Sequence, residues 1–446
     1  MSVTQRSTIA DLAPLLRDRA LSPVDLVQRC LARIDEGREG NAFIAVMREQ
    51  ALEDATRVER AIAGGRYLGP LHGIPIAVKD LIAVKGVPTT SGSRLPAAMP
   101  GEDAPVVARL REAGAIIIGK TNLHEFAFGT TSDESAFGPV RHPIDPSRSA
   151  GGSSGGSAAA LVLGMCVGAL GTDTGGSIRI PSAACGTVGL KPTAGEIPTA
   201  GVVPLSTSLD HVGPMALTVS DTALLFQAMR GEAARGVSPA TERLALGVPR
   251  PYFFDRLDEG VRSCAERAIE RLHDAGHALH DVTIEHAGWT PPVYLHIVLP
   301  EAACFHARGL AEHGEKYSPG IRVRLEAGRY LLAEDYVRAM RLRQALAEAV
   351  TRAIYGIDAL VLPALPVPAP PIGAAMVVVD GVEAPVRAVM LSLTQLFNLT
   401  GHPAISLPAG RGADGLPRGL QLVGHRGCTE RLLEIAATVE RVIGDE

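Results

Sequence analysis

Short runs of uninterrupted apolar residues constrain the 446-residue chain most strongly. Ile74-Pro75-Ile76-Ala77-Val78 and Ala115-Ile116-Ile117-Ile118 place no polar residue at alternate positions. A strand built from either run therefore has both faces in a core. Ala104 to Ala113 between them reads as a short helix, and Thr121-Asn122 as another helix start. The same rhythm returns later, with strands at 244–248, 278–284, 358–362, 403–407 and 419–423 and helices at 258–274, 333–353 and 429–442. Such alternation predicts an α/β fold: a large mixed, mostly doubly wound central sheet covered by helices on both faces.

Residues 1–65 read as helical. Ser22-Pro23-Val24-Asp25 supplies an N-cap, a proline at the first helical position and an acid in the first turn. Leu26, Val27, Cys30, Leu31 and Ile34 follow as one apolar stripe. Two stretches break the rhythm. Arg141 to Thr199 is rich in Gly, Ser and Pro, while Leu362 to Ile372 is proline-rich and predicts an extended surface connection. With no solenoid repeat, a single domain over 1–446 is expected.

Composition excludes several classes. Apolar residues make up 46% and charged residues 20%, which rules out disorder as the dominant state. A net charge of −5 asks for no nucleic acid. The longest apolar candidate, Ala158 to Leu170, is interrupted by glycine and reads as a buried helix and strand, so no membrane partner is expected. The N-terminus shows no secretory signal pattern. Six scattered cysteines without a CxxC pair read as reduced thiols of a cytoplasmic protein.

Only five of the basic residues are lysines: Lys79, Lys85, Lys120, Lys191 and Lys316. Lys79 ends the buried run 74–78. It is either a strand-end lysine reaching water or pairing with Asp80, or a desolvated base. The second reading requires its pKa to fall to about 7–8, a destabilisation of the charged form by roughly 3–5 kcal/mol that burial supplies.

Gly151-Gly152-Ser153-Ser154-Gly155-Gly156-Ser157 has the composition of a flexible hinge, yet it opens directly onto Ala158-Ala159-Ala160-Leu161-Val162-Leu163. Glycines before a buried helix present several N–H groups in a tight turn. A phosphate-binding loop would need lysine where Ser157 stands. A nucleophile elbow around Ser153 would need a preceding strand, which His142 to Ser147 does not offer. A second serine lies in Gly171-Thr172-Asp173-Thr174-Gly175-Gly176-Ser177-Ile178-Arg179-Ile180-Pro181. That segment is either a plain strand-to-helix turn or a loop whose N–H groups converge on an oxyanion.

These stretches, together with His72-Gly73-Ile74-Pro75, Lys79-Asp80, Gly119-Lys120-Thr121-Asn122 and Cys185 to Thr193, resemble the amidase signature family. Specific matches span about residues 70–215. Asn398 to Ala404 and Gly415 to Gln421 resemble it more weakly. The resemblance implies an amidohydrolase with a Ser–Ser–Lys triad and an acyl-enzyme intermediate. Ser177 would be nucleophile, Ser153 the bridging serine after a cis bond from Gly152, and Lys79 the base. Backbone N–H groups of Thr174, Gly175, Gly176 and Ser177 would form the oxyanion hole. Gly152, Ser154, Asp173 and Arg179 would support the loops. The resemblance calls for neither metal nor organic cofactor.

For substrate it implies a small amide, aliphatic or aryl, with esters and carbamates as further options. Phe128, Gly129 and Thr130 are pocket candidates, while Phe126 is equally a core residue. The alternatives are the glutamine-hydrolysing component of a glutamyl-tRNA amidotransferase, or a non-catalytic protein of the same fold within a complex. The segment from Val382 to Thr400 resembles free-standing bacterial amidases more closely, and a monomer or homodimer is expected. His273 and His277, four apart, read as a helix terminus rather than a zinc site. Trp289 and Tyr294 read as surface packing, and Arg338, Arg341 and Arg343 as a solvated helix face.

Overall fold

The structure, a computed structural model, describes residues 7–444. Its strands are β1 (Phe43–Val46), β2 (Pro75–Lys79), β3 (Ile116–Thr121), β4 (Gly168–Asp173), β5 (Val188–Lys191), β6 (His211–Ala216) and β7 (Ala245–Val248). There follow β8 (Ala278–Asp281), β9 (Ala359–Pro363), β10 (Met376–Val379), β11 (Val382–Pro385), β12 (Ala404–Arg411) and β13 (Pro417–Val423). Eleven of them form one mixed sheet in the order β1-β3-β2-β4-β6-β5-β12-β13-β9-β7-β8. Parallel pairs occupy the two flanks, β3-β2-β4 and β9-β7-β8, and antiparallel pairs join them through the middle.

Burial on both faces follows from the apolar runs. Ile76, Val78, Ile117 and Leu170 point into one apolar cluster. Ala77, Ile116, Ile118 and Ala169 point into a second on the other side of the sheet. Helices cover both. The helix Pro23–Glu36 starts as its sequence dictates, with Ser22 Oγ accepting hydrogen bonds from the N–H groups of Val24 and Asp25. No helix among the described residues is long and apolar enough to cross a membrane.

Four features depart from the sequence expectations. The N-terminal region is not wholly helical, because β1 pairs antiparallel with β3. Thr121-Asn122 does not start a helix: β3 runs through Thr121, and Asn122 turns the chain by donating from Nδ2 to the carbonyls of Asn41 and Gly138, each at 3.1 Å. Asn122 thus serves distant backbone instead of a cap, while Thr121 Oγ1 shares a hydrogen bond with Ser157 Oγ at 2.8 Å. The stretch 362–372 is mostly buried rather than a surface connection. Prolines bring no N–H to satisfy, so an extended run of them enters a core at little polar cost. Its carbonyls find partners: Arg148 Nη1 donates to Ala369 O at 2.6 Å and Ser149 N to Pro370 O at 2.9 Å. Finally, β10 and β11 form a separate hairpin closed by Asp380-Gly381, both at positive φ, as a two-residue hairpin turn of this kind requires.

Candidate active site

The parallel flank of the sheet brings the singled-out residues together. Lys79 is the last residue of β2 and is completely buried. Its Nζ donates to Ser153 Oγ at 2.7 Å and to Thr172 Oγ1 at 2.8 Å. Asp80 does not pair with it but forms an ion pair with Lys120. Burial lowers the Lys79 pKa to about 7, partly opposed by the carboxylates of Asp173 and Asp210. At neutral pH a buried amine of this kind is substantially uncharged.

Ser153 sits in the turn before the helix Gly155–Val162, and the Gly152–Ser153 peptide is cis. The turn is pressed against the loop at 131–132. A Cβ on Gly152 would lie 2.8 Å from the backbone nitrogens of Thr131 and Ser132, so only glycine fits. Ser132 Oγ donates to Ser153 O at 3.1 Å and accepts from Gly155 N at 3.2 Å. Ser154 N donates to Ser177 O at 3.2 Å, and Ser154 Oγ donates to Thr172 O at the same distance. These bonds tie the Ser153 turn to the Ser177 loop.

Ser177 lies between β4 and the helix Arg179–Cys185. Among the described residues, no protein acceptor receives a hydrogen bond from the N–H of Thr174, Gly175, Gly176 or Ser177. Gly176 has φ of 142°, and a Cβ there would collide with Thr394 Oγ1. That hydroxyl holds the loop by donating to Gly175 O at 2.6 Å. Thr174 Oγ1 donates to Asp210 at 2.6 Å. Burial raises the Asp210 carboxyl to about 6, against the pull of its donors from Thr174, Ser206 and Leu205.

Beneath the loop lies a closed polar cluster. Arg179 donates to both carboxylate oxygens of Asp173, at 3.0 and 2.9 Å, and neither side chain reaches solvent. Arg179 also donates to Gln421 Oε1 and Asn398 Oδ1, each at 2.6 Å, and to Thr394 O at 3.0 Å. Asn398 Nδ2 returns a bond to Asp173 at 2.7 Å. Burial opposes the charge on Asp173, yet Arg179, Asn398 and Lys191 outweigh it and hold the carboxyl well below its ordinary range. The motif stretches around Asn398 and Gln421, remote in sequence, thus meet at Arg179.

The pocket candidates are more dispersed. Phe128 is buried, with the guanidinium carbons of Arg324 and Arg387 at 5.8 and 5.5 Å from its ring centroid. Gly129 packs on the His124 imidazole and Thr130 is buried beside it. Phe126 belongs to the core, its ring 4.4 Å from that of His306 and 5.5 Å from that of Tyr317. Two surface readings are corrected. Tyr294 is buried, its hydroxyl 2.5 Å from where a Cβ on Gly175 would stand. Its helix Thr290–His313 packs against the helix Gln395–Thr400 and so faces inward. Arg343 is not solvated either: it donates to Leu399 O at 2.6 Å and Ser208 O at 3.0 Å, carbonyls that its exposed neighbours on the helix do not reach. Thr172 lies inside the motif around Ser177 but carried no signal of its own, because a strand threonine is ordinary. Tyr294, Thr394 and Arg387 stand outside any spacing pattern.

The chain is similar to known amidases over nearly its whole length. A family model described as amidase matches residues 25–433. An amidase of Pseudomonas putida is 42% identical over 434 residues, covering 93% of this chain and 92% of that protein. The A component of the glutamyl-tRNA(Gln) amidotransferase of Chloroflexus aurantiacus is 37% identical, covering 95% of this chain and 93% of that protein. A crystal structure of an amidase superposes with a TM-score of 0.94 at 38% identity, covering 98% of this chain and 100% of that one. The chain belongs to the amidase signature family and is a hydrolase acting on amide C–N bonds.

Proposed function

We propose that the chain is a free-standing amidase that cleaves small aliphatic or aryl amides through Ser177, Ser153 and Lys79, with esters and carbamates as secondary substrates. The observation that carries this reading is the completely buried Lys79, 2.7 Å from Ser153 Oγ and with no carboxylate bonded to it. A lysine without an anionic partner is available in its neutral form, and a neutral amine accepts a proton. As Ser177 Oγ attacks the carbonyl carbon, its proton passes to Ser153 Oγ while the Ser153 proton passes to Lys79. The tetrahedral oxyanion is stabilised by N–H groups among Thr174, Gly175, Gly176 and Ser177, which donate to no protein acceptor among the described residues. Reversal of the relay protonates the leaving nitrogen as the C–N bond breaks, leaving an acyl-Ser177 ester. Water, deprotonated by the same relay, then cleaves that ester.

The experiment is product release by the purified chain alone from glutamine, a short aliphatic amide, a nitroanilide and an aryl carbamate, each beside Ser177→Ala. Turnover of a simple amide that vanishes in the variant is the expected result. Turnover of glutamine alone would favour the reading suggested by the amidotransferase relative. Silence on all four would overturn the free-standing reading.

A further inference from the structure

Arg387 is a charged side chain near the site that the proposed mechanism leaves unused. It lies in the helix Val386–Leu391. Four residues on, and so on the same helical face, the Leu391 Cδ2 atom is 3.0 Å from where a Cβ on Gly175 would stand, beside the Tyr294 hydroxyl. Arg387 therefore stands one helical turn from the wall that closes on the Ser177 loop.

Its surroundings contrast with those of Arg324, the other guanidinium over Phe128. Arg324 donates to Phe128 O at 2.7 Å and feels the carboxylates of Glu134 and Asp133. Arg387 makes no hydrogen bond and no ion pair among the described residues, and its Nε is buried without a partner. Besides burial, the groups that act on its charge are the Tyr294 hydroxyl and the cation of Arg324. The Tyr294 hydroxyl donates to no protein acceptor among the described residues. Phe128 offers the guanidinium a ring face, which stabilises a cation but satisfies none of its five N–H donors. A planar fork of donors, positively charged and uncompensated beside a nucleophile loop, matches a carboxylate in shape and charge.

We propose that Arg387, with Tyr294, binds a carboxylate carried by the substrate, so that the enzyme prefers amides bearing an acid group over uncharged amides of the same size. This rests on the amidase reading above and narrows its substrate class. Arg387 is here a specificity residue, remote from the bond that breaks.

The test compares kcat/KM for matched pairs. Glutaric acid mono-4-nitroanilide against hexanoyl 4-nitroanilide places the acid on the acyl side. Butyryl-4-aminobenzoate against butyryl-4-aminoacetophenone places it on the leaving side. In one pair the acid is expected to be favoured by about thirtyfold or more, chiefly through KM, as for a desolvated charge pair. Arg387→Gln should collapse that ratio towards one, and Arg387→Lys should retain part of it. A ratio near one in the wild type, or a ratio that Arg387→Gln leaves intact, overturns the proposal and reduces Arg387 to a brace on Phe128. If no nitroanilide or anilide is cleaved, thermal protection of Ser177→Ala by glutaramate against valeramide decides the matter separately. Stronger protection by glutaramate supports the carboxylate site, and equal protection overturns it, whatever becomes of the amidase reading. The same pair of ligands on wild-type protein serves if a variant fails to fold.

Discussion

Lys79 ends β2, Lys120 is the penultimate residue of the neighbouring parallel strand β3, and neither touches solvent. Their partners differ. Lys120 Nζ sits 2.7 Å from an Asp80 carboxylate oxygen and 3.1 Å from Thr89 Oγ1, so its charge is matched. Lys79 meets only the hydroxyls of Ser153 and Thr172. Burial lowers both pKa values, but the Asp80 carboxylate opposes the drop in Lys120 through an ion pair that Lys79 lacks. Lys120 is therefore held in an ion pair that ties down the loop after β2. Its neighbour keeps an amine that exchanges protons near neutral pH. Two residues of the same type and depth differ in function because one carboxylate is within reach of only one of them.

The sharpest way to break this contrast is to replace each lysine by methionine. Lys79→Met should lower kcat about a thousandfold or more, as Ser177→Ala should, because the relay loses its acceptor. Its fold should gain stability. The folded amine titrates near 7 and the unfolded one near 10.5, so the folded protein binds fewer protons in that window and its stability rises as pH climbs through it. The burden of Lys79 is thus fully present below pH 7, up to about 5 kcal/mol, and fades towards pH 10.5. Urea denaturation of Lys79→Met and wild type at pH 6 and 9 should show the variant's advantage shrinking with pH. An advantage independent of pH would mean that Lys79 is charged in the fold.

Lys120→Met should behave in the opposite sense. It strands the buried Asp80 carboxylate, a change that costs about 3–5 kcal/mol, read as a lower denaturation midpoint. Whatever protein remains folded should keep most of its kcat. A variant with intact stability and abolished turnover would erase the distinction between the two lysines.

The pH profile is the next smaller effect. With Lys79 as base, kcat/KM should fall about tenfold per pH unit below 7 and level off above it. A plateau reaching to pH 5 would remove Lys79 from the role of base.

The strands and the motif loops were legible because their causes are local. Unbroken apolar runs force two-sided burial, and the glycines mark where backbone approaches backbone. The motifs also contained every member of the Asp173–Arg179–Asn398–Gln421 cluster, although nothing in their spacing says that Asp173 and the distant Asn398 and Gln421 meet at the Arg179 guanidinium. The misreadings share another cause. Arg343 and Tyr294 look like surface residues at helical spacing, and only tertiary packing shows which face of each helix turns inward. Arg387 had no signal at all, since an arginine without a partner looks in sequence like any other. The hairpin at 376–385 did carry one, because Asp380-Gly381 between apolar residues is a hairpin turn signal.

Thr172 offers the finest adjustment of the contrast between the lysines. Its Oγ1 accepts a hydrogen bond from Lys79 Nζ at 2.8 Å. A charged ammonium donates more strongly than a neutral amine, so this bond favours the protonated form. Thr172→Val keeps the shape of the side chain and removes the acceptor. The acidic limb of the kcat/KM profile should then move to lower pH, because burial acts on Lys79 with less compensation. The plateau should fall only several-fold, since Ser153 still receives its bond and a hydrogen bond between neutral groups is worth about 0.5–1.5 kcal/mol. A limb that moves to higher pH would mean that Thr172 donates to a neutral amine instead. Lys79 would then be uncharged over most of the working range, and the two lysines would differ in charge even before substrate arrives.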